Sequence, residues 1–123
     1  MKITGFIFDL SKGGAQGVFV TVMNYFCENG YNVGIVTQNL NDEVHVKDIN
    51  SEIDITSLNA VGAKSALFAL IDYVKNNEIE IGDKINVVVP TGNLGNILAA
   101  YYAKKMGLPI AKFICASNEN NVL

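Results

Sequence analysis

Hydrophobic positions follow two periods along this chain, and the alternation of those periods predicts its elements. Residues 2–9 form a short apolar run rich in Ile and Phe, which predicts a buried strand. A turn follows at Ser11-Lys12-Gly13-Gly14-Ala15-Gln16-Gly17. From Val18 to Asn29 the apolar residues Val18, Val22, Tyr25 and Phe26 fall at helical spacing, and Gly30 supplies a C-terminal stop. Residues 32–38 read as a second strand and residues 39–42 as a polar loop. Val44-His45-Val46 and Ile53-Asp54-Ile55-Thr56 alternate with polar neighbours, which suits a half-exposed edge strand within 43–57. Ala63, Leu67, Leu70, Ile71 and Val74 share one face of a helix spanning about 60–76. Residues 84–89 are the most strand-like run, Pro90-Thr91-Gly92-Asn93 is a turn, and a helix from about 94 to 106 ends at Gly107. Pro109 opens a last strand, 110–116.

Strands alternating with helices imply right-handed βαβ crossovers and a mostly parallel sheet covered on both faces. The expected fold is α/β: a three-layer α/β/α sandwich around one five-stranded sheet, Rossmann- or flavodoxin-like, with strand order 3-2-1-4-5. In that order the loops after strands 1 and 4 lie side by side at a topological switch point, where this architecture places ligands.

Composition narrows the chemistry. At 123 residues and half hydrophobic, the chain fits one domain, 1–123, able to bury a real core. Its net charge is −3, and all nine basic residues are lysine. The acidic balance gives no electrostatic footprint for nucleic acid, and the lack of arginine removes the best bidentate clamp for phosphate and carboxylate. Cys27 and Cys115 lie far apart in apolar runs and read as buried thiols in a reducing compartment. A single histidine, His45, with no Cys/His cluster makes a metal site improbable. No apolar stretch reaches the ~18 residues of a membrane helix. The first residues, ending at Asp9 and a glycine loop, read as a strand and not a signal peptide. The expectation is a cytoplasmic protein with no membrane partner.

Two glycine-rich loops are the candidate sites. The first, Gly13-Gly14-Ala15-Gln16-Gly17, sits at a strand-to-helix turn, where backbone amides approach a ligand and a helix N-terminus favours an anion. Lys12 beside it is the one lysine placed to reach a bound anion; as a plain surface feature the same loop is a tight βα turn with an exposed lysine. The second comprises Thr91, Gly92, Asn93, Leu94, Gly95 and Asn96. A turn of these residues can point several amides at one phosphate, with the Thr91 and Asn93 side chains adding hydrogen bonds, which suits a phosphate held without arginine. The alternative is a capped turn. No catalytic set emerges. His45 lies on the predicted edge strand away from the loops, and Asp9 reads as a loop cap. Lys104 and Lys105 near a helix C-terminus read as solvated.

Two family likenesses attach to these residues. The string Phe8-Asp9-Leu10-Ser11-Lys12-Gly13-Gly14-Ala15-Gln16, with Glu28-Asn29-Gly30-Tyr31-Asn32-Val33 and Ile35-Val36-Thr37, resembles the N-terminal domain of family-4, GT-B-fold glycosyltransferases over residues 1 to about 75. It departs at Gly17, where that family usually carries arginine. The string Val88-Val89-Pro90-Thr91-Gly92-Asn93-Leu94-Gly95-Asn96-Ile97-Leu98, continuing through Tyr101 to Pro109 and Ile114 to Asn121, resembles threonine synthase, a pyridoxal-phosphate enzyme. It departs at Leu94, where phenylalanine is usual. The second likeness implies that Thr91, Gly92, Asn93, Gly95 and Asn96 are a cofactor-phosphate cradle. Together the two likenesses imply an engineered or recombined chimera. On that reading it is a scaffold with no catalytic residues and no required cofactor, not an enzyme, carrying at most a vestigial site for phosphate or pyridoxal phosphate. Fragments that have lost their native neighbours also point to self-association through an exposed edge or apolar surface.

Overall fold

The computed structural model describes residues 1–40, 44–77, 80, 83–90 and 94–116. The elements run β1 (Lys2–Ile7), α1 (Gly14–Glu28), β2 (Asn32–Thr37), a short 3-10 turn (Val46–Asp48), β3 (Asp54–Ser57), α2 (Ala63–Asn77), β4 (Ile85–Pro90), α3 (Leu94–Lys105) and β5 (Ile110–Ala116). This is a small α/β fold with parallel strands, as the alternating periods predict. The chain divides into two compact units, Met1–Ala66 and Leu67–Leu123.

In the first unit β1, β2 and β3 form a parallel sheet with β2 in the middle, so that Gly5 faces Ile35 and Ile35 faces Ile55 across the ladders. The central strand is buried from Val33 to Thr37, the continuous apolar run expected of a strand covered on both faces. α1 buries Val20, Met23 and Cys27, spaced three and four apart, and packs on this sheet through Met23 and Cys27. Met23 and Cys27 join Val33, Ile35 and Ile53 in one cluster, with Ile3, Ile7, Phe19 and Phe26 packed around it. Gly5 makes this approach possible. A Cβ there would stand 2.6 Å from the Phe19 ring and 2.7 Å from the Met23 methyl, closer than real Cβ contacts allow.

In the second unit β4 and β5 pair in parallel, Val87 opposite Phe113 and Val88 opposite Ile114. Ile71 and Val74 of α2, Ala103 of α3, and Leu108, Ile110, Ile85 and Val87 share its core. Gly107 ends α3 at a φ of 99°, a conformation that favours glycine. The Leu108 amide then reaches back to the Ala103 carbonyl at 3.0 Å.

Several expectations change. The described strands form two sheets, in the orders 3-2-1 and 4-5, where the pattern suggested one sheet of five. Hydropathy marks a strand but carries no label for its neighbour. α1 begins at Gly14 and not Val18, because the glycines read as turn residues already have helical geometry behind the Gly13 cap. Val44-His45-Val46 is not a strand; the segment turns into the 3-10 element, and its alternation reflects partial burial against α1. Cys27 is buried but Cys115 is exposed, because β5 is open to solvent from Ala111 to Cys115. Among the described residues no helix is long and apolar enough to cross a membrane.

Candidate functional site

The second glycine loop lies in the second unit. Thr91, Gly92 and Asn93 fall outside the described residues, while Leu94, Gly95 and Asn96 are the first three residues of α3, directly after β4. The first amides of a helix have no intrahelical acceptor, and they sit at the positive end of its dipole. The first turn of α3 carries no acidic residue to occupy them. The amides of Leu94, Gly95 and Asn96 are therefore donors of the kind a phosphate uses. α3 is anchored at its far end by Ala103 in the core, and Leu108 and Gly107 close that end. Lys104 and Lys105, expected to be simply solvated, lie over the rings of Phe113 and Tyr101 at 5.5 Å.

The first glycine loop is organised around Asp9. Its carboxylate accepts hydrogen bonds from the Ser11 amide at 3.0 Å, the Ser11 hydroxyl at 2.5 Å and the Gln16 side-chain amide at 3.2 Å. These bonds, the Ser11 hydroxyl foremost, hold the Asp9 carboxyl below the usual carboxylate range, against a smaller opposing effect of burial. Asp9 thus acts as an internal anion that takes up donors of its own loop. Gly13 caps α1 without a side-chain hydrogen bond, and Gly14 and Lys12 are exposed.

The structure also brings together residues the sequence kept apart. His45, expected on an edge strand away from the loops, stands against Gly17; a Cβ at Gly17 would lie 3.7 Å from His45 Cε1. The His45 amide donates to the Leu10 carbonyl at 3.2 Å, and Nδ1 lies 3.3 Å from Asp48 Oδ2. Asn24 ties the turn to α1, donating to the Asp48 carbonyl at 2.7 Å and accepting from the Asn50 amide at 2.9 Å. Asn24, Asp48 and Asn50 were not singled out in the sequence, and no local signal links positions 24 residues apart. His45 Nε2 has no partner among the described residues and is closed off from solvent. The His–Asp pair braces the turn, and His45 also lines an open groove along α1. The groove, of about 560 Å³, is lined as well by Gly14, Gly17, Val18, Thr21, Asn24 and Asp48 among others.

No family model matches the chain. No solved structure matches it either. Curated relatives do. A Homo sapiens protein named threonine synthase-like 1 is 60% identical over 55 residues, 45% of this chain and 7% of that protein. The threonine synthase of Schizosaccharomyces pombe is 34% identical over 88 residues, 63% of this chain and 17% of the enzyme. That of Methylobacillus glycogenes is 28% identical over 128 residues, which take in 95% of this chain and 27% of the enzyme. The match to the Methylobacillus glycogenes enzyme alone reaches across 95% of the chain, at 28% identity, and nothing supports a glycosyltransferase segment or a junction between two families. The glycosyltransferase likeness rested on short strings around a βα turn, where unrelated α/β folds need the same small residues for the same backbone path. The expectations of an engineered scaffold, of no enzyme and of no required cofactor are overturned with it. The relatives are natural proteins, and those of Schizosaccharomyces pombe and Methylobacillus glycogenes are named as an enzyme, threonine synthase. The chain is similar to threonine synthases over part of its length and spans between 7% and 27% of theirs.

Proposed function

We propose that this chain is part of a threonine-synthase-like protein that works with pyridoxal phosphate, and that Thr91, Gly92, Asn93, Leu94, Gly95 and Asn96 are its phosphate cradle. The observation that carries the reading is the start of α3 at Leu94, straight after β4 and with no acidic residue in its first turn. Similarity to enzymes named threonine synthase supports it. When bound, pyridoxal phosphate supplies an electron sink for carbanion chemistry. The residues of this segment hold and orient. The amides of Leu94, Gly95 and Asn96 would donate to phosphate oxygens, and the dipole of α3 would favour the dianion without arginine. None of them is assigned a proton-transfer role.

Titration of the chain with inorganic phosphate and with pyridoxal phosphate, followed by amide NMR, tests this. The expected result is a saturating shift confined to residues 92–96 with a midpoint of about 1–10 mM, the range of a contact made by a few amides. Asn96→Asp, which adds a negative charge in the first turn of α3, should abolish it. Absence of any shift in that segment at about 20 mM ligand, far above such a midpoint, overturns the assignment.

A further inference from the structure

The outer face of α1 is as ordered in sequence as its buried face. Gly14, Val18, Thr21, Tyr25 and Glu28 are all exposed and follow one another at spacings of 4, 3, 4 and 3. That is the seam spacing of a helix that packs against another helix. Val18 is 66% and Tyr25 62% exposed, and Val22 beside them is 44% exposed. Since Val20, Met23 and Cys27 already bury the opposite face, α1 is apolar on both sides, and from Gly14 to Cys27 it carries no charge. A surface helix of this kind is made to be covered.

We propose that the occupant is a second copy of this chain, with the two α1 helices antiparallel about a two-fold axis through Thr21. Three observations select a second copy. First, the seam is close to symmetric about Thr21: Gly14 and Glu28 lie seven residues to either side and Val18 and Tyr25 three and four, so Thr21 meets its own mate, Gly14 meets Glu28 and Tyr25 falls between Gly17 and Val18. Second, the shape is self-complementary. Gly14, Gly17, Val18 and Thr21 stand at i, i+3, i+4 and i+7, the four corners of a hole for an incoming side chain. The two glycines leave that hole wide, within the groove of about 560 Å³. Tyr25 of the other copy is the knob of matching size, and the Asn24 and Asp48 rim suits its hydroxyl. Third, the charges match. Glu28 sits at the C-terminal end of its own helix, where a carboxylate is unfavourable, and α1 has no basic residue in its last turn. At the other end Gly13 gives no side-chain cap, and no acidic residue occupies the first turn. Antiparallel pairing brings each Glu28 to the uncapped N-terminus of the other helix, where a carboxylate is favoured.

A 15-residue helix is about 22 Å long, so the interface falls at or below the roughly 1,200 Å² low end of specific interfaces, and the dimer is weak. Sedimentation from about 10 µM to about 1 mM, a range that brackets weak complexes, should show the mass rise from one chain and level at two. Tyr25→Lys should leave a monomer with an unchanged amide spectrum, since Tyr25 is exposed. Gly17→Leu, which fills the hole, should do the same, and Glu28→Gln should weaken association by about three- to tenfold. Register is read separately by cross-linking. In a Cys115→Ser background, Thr21→Cys should oxidise to a disulfide dimer far faster than Asn76→Cys, an exposed position off the seam. A monomer throughout the range overturns the proposal. So does a dimer untouched by Tyr25→Lys, a mass that climbs past two chains, or equal cross-linking at positions 21 and 76.

Discussion

Replacing Gly5 with alanine tests the packing of the first unit most sharply. The new Cβ would lie 2.6 Å from Phe19 Cζ, 2.7 Å from Met23 Cε and 2.8 Å from Met23 Sδ. Carbon–carbon contacts are comfortable at about 3.5–4.0 Å, so about 1 Å must be found between β1 and α1. Met23 is 4% exposed and enclosed by Cys27, Val33, Ile35 and Ile53, so its end has little room to swing away. Overpacking of this kind costs about 1–3 kcal/mol, offset by about 0.5 kcal/mol because alanine has fewer unfolded conformations than glycine. The expected net loss is about 0.5–2.5 kcal/mol, measured as a lowered urea midpoint by circular dichroism with unchanged slope. Met23→Ala removes two of the three crowding atoms. Alone it should cost about 2–5 kcal/mol as a cavity, and combined with Gly5→Ala it should cost less than the sum by about 0.5–2 kcal/mol. Strict additivity, or a Gly5→Ala protein as stable as the parent, would refute the close approach of α1 to β1.

Other outcomes follow from single contacts. Asp9 is held ionised by Ser11 and Gln16, so its contribution is present above the unfolded carboxyl value near 3.9 and is lost as pH falls through its lower folded value. Asp9→Asn should therefore lower stability at pH 7 modestly and flatten the acid limb of the stability–pH curve; an unchanged limb refutes the loop assignment. Burial first, then the negative charges of Glu52 and Glu28, push the Cys27 thiol up, and it lies 3.9 Å from the Glu52 carboxylate. A thiol reagent at pH 8 should label exposed Cys115 rapidly and Cys27 only with unfolding, and equal rates by mass spectrometry would contradict this. Gly107→Ala forces an L side chain to a φ of 99° at the end of α3 and should cost about 1 kcal/mol or more in thermal unfolding.

The sequence alone carried the type and order of nearly every element, because a change of hydrophobic period from two to 3.6 is a local property of the chain. It also carried the place of a glycine- and asparagine-rich segment between a strand and a helix; α3 starts at Leu94, within that segment. What it could not carry were relations between distant residues. His45 reads as a strand residue until the chain between β2 and β3 folds it onto Gly17 and Asn24 ties its turn to α1. The division of the strands into sheets of three and two likewise depends on partners that no strand names in its own residues. The second, outward face of α1 was written in the sequence as apolar residues at helical spacing. Only the packed structure decided which of them the core uses, because Met23 and Cys27 meet β2 while Val18 and Tyr25 are left to face away.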